Sequence, residues 1–390
     1  MRLNPVFASL PTTVFEHMSG LARTHQAINL GQGFPDGPEP DALLKAAAKA
    51  LERGNQYAPS RGVPQLREAV AGFYRAHDGL ALTDQNVIVT SGATEGLCAA
   101  LLAVVSPGDE VIIIEPAYDA DRPLIERAGG VVKAISLTPP QWRIDRSLLD
   151  QAVTERTCAI VFNNPHNPVG RAFTEEEVEA VASLCRDHDL IAISDEVWER
   201  LVFDGRKHIA LASRRGMAER TLKVGSAGKL FGLTGWKIGF LVGEGGLLDA
   251  AAKAHQFITF TSAPNLQWAV AEGLGWPDDY FVDQAQAFGH SRDFLAKALH
   301  QQGFVVLPSE ATYFLCVDLA ASRIDISAAD FAEWAVKEHG IAGIPVSAFM
   351  SSHAGDAILR LCFAKPDEVL KRAAQRLGEA RRAFLGPVPA

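Results

Sequence analysis

The stretch NVIVTSGATEGLCAALLAVVSPGDEVIIIE, residues 86–115, decides the fold class. It places a β-branched run, a turn of small residues, an apolar segment long enough for a helix and a second β-branched run in that order. The same alternation continues through CAIVF at 158–162, LIAIS at 190–194, TLKVGS at 221–226 and KIGFLVG at 237–243. Strands that alternate with helices are typical of a mostly parallel sheet covered by helices, so we predict an α/β fold.

The pattern changes character near Trp276. Residues 278–302 have helical periodicity, and beyond them short apolar runs such as FVVLP and TYFLCVDL alternate with segments that suit helices, which is α+β in character. A chain of 390 residues is also too long for one small core. We therefore predict a large domain of residues 38–277 and a smaller α+β domain formed by residues 1–37 together with 278–390.

Composition and charge indicate a small-molecule partner. The formal net charge is −9 and the basic residues are scattered, which gives no electrostatic footprint for nucleic acid or an anionic membrane. The longest apolar runs are too short to span a bilayer, and the N-terminus lacks the unbroken apolar stretch of a signal peptide. The five widely spaced cysteines are typical of free thiols in a reducing compartment. We expect a cytoplasmic protein that binds neither nucleic acid nor membrane, and we expect no metal site.

Polar residues follow several predicted strands, and ligands of open α/β sheets bind at the carboxyl ends of strands. VIVT runs into Ser91-Gly92-Ala93-Thr94 at a helix start, where free backbone N–H groups can bind a phosphate, although an ordinary capped helix has the same pattern. CAIVF runs into NNPHNPVG, whose prolines hold an extended turn that presents the amides of Asn163, Asn164 and Asn167. A plain loop is also rich in such residues.

Asp195 and Glu196 follow the apolar strand LIAIS. Carboxylates at this edge must find a partner or stay solvated. The alternative is a strand that reaches the surface at Ser194.

Lys229 lies in a glycine-rich turn, KVGSAGKLFGLTGWKIG. A P-loop is excluded because its first glycine would fall at Lys223 and its Ser/Thr at Leu230. A lysine among small and apolar residues can instead be desolvated, which favours the neutral amine that forms an imine.

Arg360 is the only charge between apolar neighbours in AILRLCFA. A buried guanidinium is costly unless something pairs with it. It either forms a structural salt bridge or binds a substrate carboxylate with both of its amino groups.

Taken together, the segments resemble the class I aminotransferases of fold type I, which depend on pyridoxal 5′-phosphate (PLP), and among them the kynurenine, glutamine and methionine branch. The likeness covers nearly the whole chain. It rests on the joint order of GQGFPDGPEPD, NQYAPSRGVPQLREAV, VTSGATEGL, EPAYD, NNPHNPVG, SDEVWE, GSAGKLFGLTGWKIG, EHGIAGIPVSAF and LRLCFAK. It implies an enzyme that transfers an amino group from an amino acid to a 2-oxo acid in a ping-pong mechanism. The expected donor is a large neutral or aromatic amino acid, such as methionine, glutamine, kynurenine or phenylalanine.

The resemblance also implies roles for residues around the cofactor ring. Lys229 would form the Schiff base with PLP and carry the proton, and Asp195 would pair with the pyridine nitrogen. Asn167 would hydrogen-bond the phenolic oxygen and contact the substrate, and Tyr118 would stack on the ring. Trp198 stands where the family usually has a tyrosine that supports the phenolic oxygen, and an indole N–H can donate but not accept.

Other residues would hold the two anionic groups. By the same resemblance, Gly33 and Arg360 would receive the substrate carboxylate. Tyr57 would reach the PLP phosphate from a neighbouring subunit, which implies a homodimer with shared active sites. The remaining phosphate ligands would be Ala93, Thr94, Ser226 and Lys237. Ala117 is a second departure, because the branch often has an aromatic residue there.

Two other functions fit parts of this pattern. A β-lyase acting on cysteine conjugates or cystathionine would use the same cofactor, because the carbanion can expel a β-leaving group instead of being reprotonated. A PLP-binding regulator would need an additional basic DNA-binding domain, for which the sequence has no candidate.

Overall fold

The computed structural model describes residues 3–385. Its α-helices are α1 (Pro5–Ala8), α2 (Val14–Thr24), α3 (Asp41–Ala50), α4 (Pro64–Asp78), α5 (Ala93–Val104), α6 (Asp121–Ala128), α7 (Arg146–Asp150), α8 (Glu175–Asp187), α9 (Ala227–Leu230), α10 (Gly245–Ile258), α11 (Pro264–Gly273), α12 (Asp279–Gln301), α13 (Ala328–His339) and α14 (Asp367–Leu385). No helix within these residues combines the length and the apolar character needed to cross a membrane.

The strands are β1 (Ile28–Asn29), β2 (Val87–Thr90), β3 (Glu110–Glu115), β4 (Val131–Ser136), β5 (Thr157–Asn163), β6 (Ile191–Asp195), β7 (Thr221–Ser226), β8 (Gly239–Val242), β9 (Val305–Val306), β10 (Phe314–Asp318), β11 (Ile341–Ala342), β12 (Ile344–Pro345) and β13 (Ile358–Cys362). Short 3-10 turns lie at Leu51–Arg53, Asp84–Asn86, Leu211–Ser213, Ala218–Arg220, Thr234–Trp236, Val346–Phe349 and His353–Gly355.

A seven-stranded sheet in the order β2-β8-β7-β6-β5-β3-β4 forms the centre of the molecule. The five adjacent strands β7, β6, β5, β3 and β4 are parallel to one another. Strand β8 is antiparallel to both of its neighbours, β2 and β7. A parallel strand covered by helices on both faces is buried along its whole length, so its sequence is a continuous apolar run rather than an alternating one. Strand β3 shows this, because all six of its residues are buried and its centre is Val-Ile-Ile-Ile. This sheet confirms the predicted α/β class with a mostly parallel sheet.

Two smaller sheets lie outside this unit. One joins β1 and β11 in parallel, with Ile28 opposite Ile341, and the other has the order β12-β13-β10-β9. The N-terminal segment therefore pairs with the C-terminal part of the chain, as the prediction of a composite small domain requires. The exact boundaries at 37/38 and 277/278 stay a prediction, and residues 1–2 and 386–390 of that assignment lie outside the described residues.

Helix positions agree with the sequence periodicity in the second half of the chain. The predicted helix at 278–302 is α12, and the segment at 328–339 is α13. The glycine-rich turn predicted around Lys229 is wrong in detail, because Lys229 lies in the one-turn helix α9. The Phe231 N–H donates to the Ala227 carbonyl at 3.0 Å and closes that turn. Gly228 allows the segment around Thr234 to pack closely against α9, since a Cβ on Gly228 would lie 3.0 Å from the Thr234 Cα.

Candidate active site

A cavity of about 340 Å³ opens at the carboxyl ends of β6 and β7 and extends to the smaller sheets. It brings together eleven of the twelve site residues predicted from the sequence: Gly33, Ala93, Thr94, Tyr118, Asn167, Asp195, Trp198, Ser226, Lys229, Lys237 and Arg360. These residues come from both halves of the chain. The strand-end positions identified in the sequence therefore do converge on one site.

Lys229 has its amine inside this cavity. The amine donates to the Tyr313 hydroxyl oxygen at 3.0 Å and lies 3.3 Å from the Gly33 carbonyl oxygen. Burial lowers the pKa of Lys229 to about 8, and the charges of Arg360 and Lys237 act in the same direction. About a tenth of the amine is therefore neutral at pH 7, far more than for an unperturbed lysine, and the neutral form is the one that attacks a carbonyl carbon.

Asp195 and Glu196 are adjacent, but their side chains have different surroundings. Residues that follow one another in a strand point to opposite faces of the sheet. Glu196 accepts from Lys223 and from His208, and although burial opposes it, Lys223 lowers the pKa of Glu196. Lys223 thereby compensates the charge of Glu196, and of the two carboxylates only Asp195 lines the cavity.

The Asp195 carboxyl is buried without a salt bridge among residues 3–385. The Val197 N–H donates to it at 3.3 Å. Burial raises the pKa of Asp195 to about 7, and the more distant Lys229 only partly opposes this. A cationic group placed against this carboxyl would stabilise its charged form.

The three amides of the NNPHNPVG loop have separate functions in the structure. Asn163 donates to the Asp195 carbonyl at 2.9 Å and accepts from the Asn167 N–H at 2.7 Å, so it fixes the loop to β6. Asn164 bonds the backbone of Phe173 and Ile209. Only Asn167 lines the cavity, and its Oδ1 accepts from Arg360, which leaves its Nδ2 as a donor toward the cavity.

One end of the cavity is suited to an anion. It contains the N-terminus of α5, where Ala93 and Thr94 have free backbone N–H groups, and the Thr94 hydroxyl lies 3.2 Å from the Tyr118 hydroxyl. The amine of Lys237 is close by, at 3.0 Å from the position of a Cβ on Gly92. Gly239 in β8 lets the start of α5 lie directly against that strand, because a Cβ on Gly239 would be only 2.7 Å from the Ala93 nitrogen.

Arg360 lies at the other end, in β13, and is 1% exposed. It donates to the Gly31 carbonyl at 2.8 Å and to Asn167 Oδ1 at 3.0 Å, and the Phe314 ring centroid lies 4.0 Å from its guanidinium carbon. Burial lowers the pKa of Arg360 to about 10. No carboxylate among residues 3–385 forms a salt bridge with it, so the alternative of a structural salt bridge is wrong for the described chain.

Tyr57 is the predicted residue that the chain does not bring to its own cavity. Its side chain is 83% exposed and packs edge to face with Phe260, with 5.3 Å between ring centroids. A single chain thus leaves this tyrosine on the surface.

Sequence reasoning missed the aromatic residues around the two central side chains. Tyr313 contacts Lys229, while Phe15 and Phe314 flank Arg360. Trp198, by contrast, was among the predicted residues; it is buried and presents its ring face to Lys229, with 4.6 Å between the amine and the ring centroid. The run TYFLCVDL was identified only as a strand, and nothing in its spacing pointed to a contact with Lys229.

A family model described as aminotransferase class I and II matches residues 25–377. Methionine aminotransferase of Escherichia coli K12 is 39% identical over 371 residues, covering 94% of this chain and 96% of the relative. Human kynurenine–oxoglutarate transaminase 1 is 37% identical over 392 residues, with 92% and 93% covered. The structure of N-succinyldiaminopimelate aminotransferase from Mycobacterium tuberculosis is similar with a TM-score of 0.94 at 38% identity, covering 97% of this chain and 100% of that one.

Proposed function

Because this chain belongs to the class I and II aminotransferases and is an amino acid aminotransferase of the branch resembling the methionine and kynurenine enzymes, we propose that Lys229 binds the PLP cofactor covalently. The observation that carries the proposal is the buried Asp195 carboxyl, which has no cationic partner among residues 3–385 and shares a cavity with the Lys229 amine. A protonated pyridine nitrogen is such a partner.

The residues present fit the whole cofactor. The α5 N-terminus, Lys237 and Ser226 would hold the phosphate, since backbone N–H groups and an ammonium both favour a dianion. Tyr118 would lie against the ring, and Asn167 would donate to the phenolic oxygen through Nδ2. When bound, PLP supplies an electron sink for the pair that is released as the substrate Cα–H bond breaks.

Asp195 and Lys229 have complementary tasks in this scheme. The Asp195 carboxylate keeps the proton on the pyridine nitrogen, because the buried charge is stabilised only while that proton is present. The Lys229 amine, once freed by the substrate amine, would take the proton from Cα and return it two atoms along, at the other carbon of the Cα–N–C unit. Its lowered pKa leaves part of the amine unprotonated near neutral pH, as a general base requires.

Arg360 and Gly33 would position the substrate. The guanidinium has no anionic partner in the described chain, and its fork is suited to a carboxylate that accepts two hydrogen bonds. A Cβ on Gly33 would lie 2.7 Å from Phe314 Cζ, so only glycine lets the backbone come this close. Binding the α-carboxylate here would orient Cα toward Lys229.

The amino donor we propose has a large neutral or aromatic side chain. Apolar residues contribute to the cavity, among them Phe15, Leu97, Val197 and Phe314. All three relatives described above are aminotransferases, and the two named for methionine and kynurenine support this donor class, whereas succinyldiaminopimelate is a polycarboxylate. These names give no support to the β-lyase or the regulator.

We also propose a homodimer that shares its active sites. An exposed aromatic patch supports it, formed by Tyr57 (83% exposed) and Phe260 (42%), which pack edge to face; Phe257, three residues before Phe260, is 87% exposed as well. Such a patch on a protein surface marks an interaction site. The patch is also connected to the anion end of the cavity, because Ser262, two residues beyond Phe260, bonds Ser91 at 3.0 Å. A cytoplasmic location stays a prediction, and the free thiols fit it.

Borohydride reduction tests the proposal. Treatment of the purified protein should fix a phosphopyridoxyl group on the peptide that contains Lys229, as read by mass spectrometry, and an amino acid alone should convert the cofactor to pyridoxamine phosphate. A label on another lysine would reject the assignment. Pyruvate and ammonia formed without pyridoxamine phosphate would favour elimination.

The shared site has its own test. Mixing chains with Tyr57→Phe and chains with Lys229→Ala should restore activity, because one site of a mixed dimer contains neither change. Active monomers in light scattering would contradict the dimer.

A further inference from the structure

The Lys229 amine is surrounded by three groups whose contacts with it have no part in the function proposed above. Tyr313 Oη lies 3.0 Å from the amine nitrogen, the Gly33 carbonyl oxygen lies 3.3 Å from it, and the Trp198 ring centroid lies 4.6 Å from it. The first two groups accept hydrogen bonds, and the third attracts a cation through its π face. Together they form a preformed position for a free lysine amine.

The Tyr313 hydroxyl is fixed in direction. Its proton is donated to the Gly33 carbonyl oxygen, so its own oxygen is left to accept from Lys229. The ring cannot swing away, because it is 1% exposed and packs edge to face on Trp198, with 4.4 Å between centroids, and next to Phe314. The hydroxyl therefore acts only as an acceptor toward the lysine.

This inference rests on the proposed function, in which Lys229 is the PLP lysine. We propose that Tyr313 is a positioning residue that holds the Lys229 amine beside Gly33 whenever the amine is not bonded to the cofactor, with the Trp198 face against the ammonium form. Trp198 thereby gains a function of its own at the position where this chain departs from the family pattern.

The contact affects the proton transfer itself. The Cα–H bond breaks, its electron pair passes toward the bound cofactor and its proton goes to Lys229 Nζ, which becomes an ammonium. Two N–H groups of that ammonium are directed to Tyr313 Oη and Gly33 O, and the third remains to return the proton.

Other groups around Lys229 act on its charge as well. Burial, Arg360 and Lys237 disfavour the ammonium, whereas the Asp195 carboxylate favours it. The Tyr313 hydroxyl oxygen is an uncharged acceptor that also favours the ammonium form. Removing the hydroxyl should therefore make the lysine less basic and leave it less well placed.

Tyr313→Phe is the test variant, because it keeps the ring and removes only the hydroxyl. The full-length protein is freed of PLP, and Lys229 is acetylated with limiting acetic anhydride at several pH values, with peptide mass spectrometry as the readout. We expect the titration midpoint of Lys229 to fall by about one pH unit, the effect of one hydrogen bond to a charged group. In the reloaded enzyme, the half-reaction should slow by about tenfold or more and show a larger isotope effect with Cα-deuterated substrate.

Tyr280→Phe is the matched control, since Tyr280 is half-buried in a different aromatic cluster, with Trp276 and Phe231. It should leave both readouts unchanged. Trp198→Phe is a second variant, and we expect it to lower the titration midpoint of Lys229 by a smaller amount. If Tyr313→Phe does not fold, Trp198→Phe serves as the test in its place. An unchanged midpoint and isotope effect in folded Tyr313→Phe, or an unchanged midpoint in Trp198→Phe in its place, would overturn the inference. A borohydride label on a lysine other than Lys229 in the unmodified protein would instead overturn the proposed function.

Discussion

Replacing Asp195 with asparagine should change how the stability of the cofactor-free protein depends on pH. The pKa of this buried carboxyl is raised to about 7 in the folded protein, against about 3.9 in an unfolded chain. The folded state then holds a proton that the unfolded state has lost between these values, so the free energy of unfolding falls as pH rises. Integrated from pH 5 to pH 8, this single group contributes a loss of about 2.5 kcal/mol. Asparagine does not titrate, so Asp195→Asn should not show this loss.

Urea unfolding of both proteins at pH 5 and pH 8 gives the measurement. The unfolding free energy of the wild type minus that of the variant should be lower at pH 8 by roughly the amount above, because all other titrating groups cancel in the difference. Asp204→Asn serves as a control that should show no change between pH 5 and pH 8, since the hydrogen bond from Arg292 lowers the pKa of Asp204 and the carboxyl is ionised in both states over this range. Adding PLP should remove the effect, because a protonated ring nitrogen favours the charged Asp195. A pH-independent difference, or one that PLP leaves unchanged, would refute the pairing.

Three further perturbations follow from the same contacts. Arg360→Ala should lower kcat/KM by tens to thousands of fold, corresponding to roughly 2 to 5 kcal/mol, while PLP stays bound, and Arg360→Lys should recover only part of it because the fork is lost. Full activity of the alanine variant on ordinary amino acids would place the carboxylate site elsewhere. Lys223→Met should cost about 3 to 5 kcal/mol in urea unfolding, because it leaves Asp78, Glu196 and Glu199 buried without their common cation, and an unchanged midpoint would contradict this. Trp198→Tyr should shift the pH titration of the bound cofactor's visible absorbance to lower pH if the tyrosine hydroxyl supplies the phenolic oxygen with a donor worth roughly 1.5 to 3 kcal/mol. Equal midpoints, or a lower one for the wild type, would leave Trp198 without that effect.

The sequence was sufficient for the central sheet and for the strand-end residues. Buried parallel strands are continuous β-branched runs, and the residues that end or follow each run lie at one edge of the sheet, so Asp195 and the NNPHNPVG loop could be placed without coordinates. The choice of Asn167 within that loop came from the family resemblance. The separate surroundings of Asp195 and Glu196 follow from strand alternation, but the pairing of Glu196 with Lys223 depends on the neighbouring strand.

Contacts between distant parts of the chain could not be predicted in this way. Tyr313 and Lys229 are 84 residues apart, and they meet only because the smaller sheets pack against the edge of the large one. Phe15 reaches Arg360 for the same reason, through α2. Periodicity describes which face of an element is buried, and it carries no information about which other element covers that face.

The parallel pairing of Ile28 with Ile341 has a consequence for the order in which the protein is built. All strands of the central sheet lie between Val87 and Val242, so this sheet can form during synthesis while the later part of the chain is still in the ribosome. Strand β1 leaves the ribosome early, yet its partner strand is made some 300 residues later, and closing so long a loop costs conformational entropy before any contact repays it. The N-terminal segment, including Gly33, therefore reaches its place over Lys229 only after the last third of the protein has emerged, and a nascent chain cannot hold its active site closed before then.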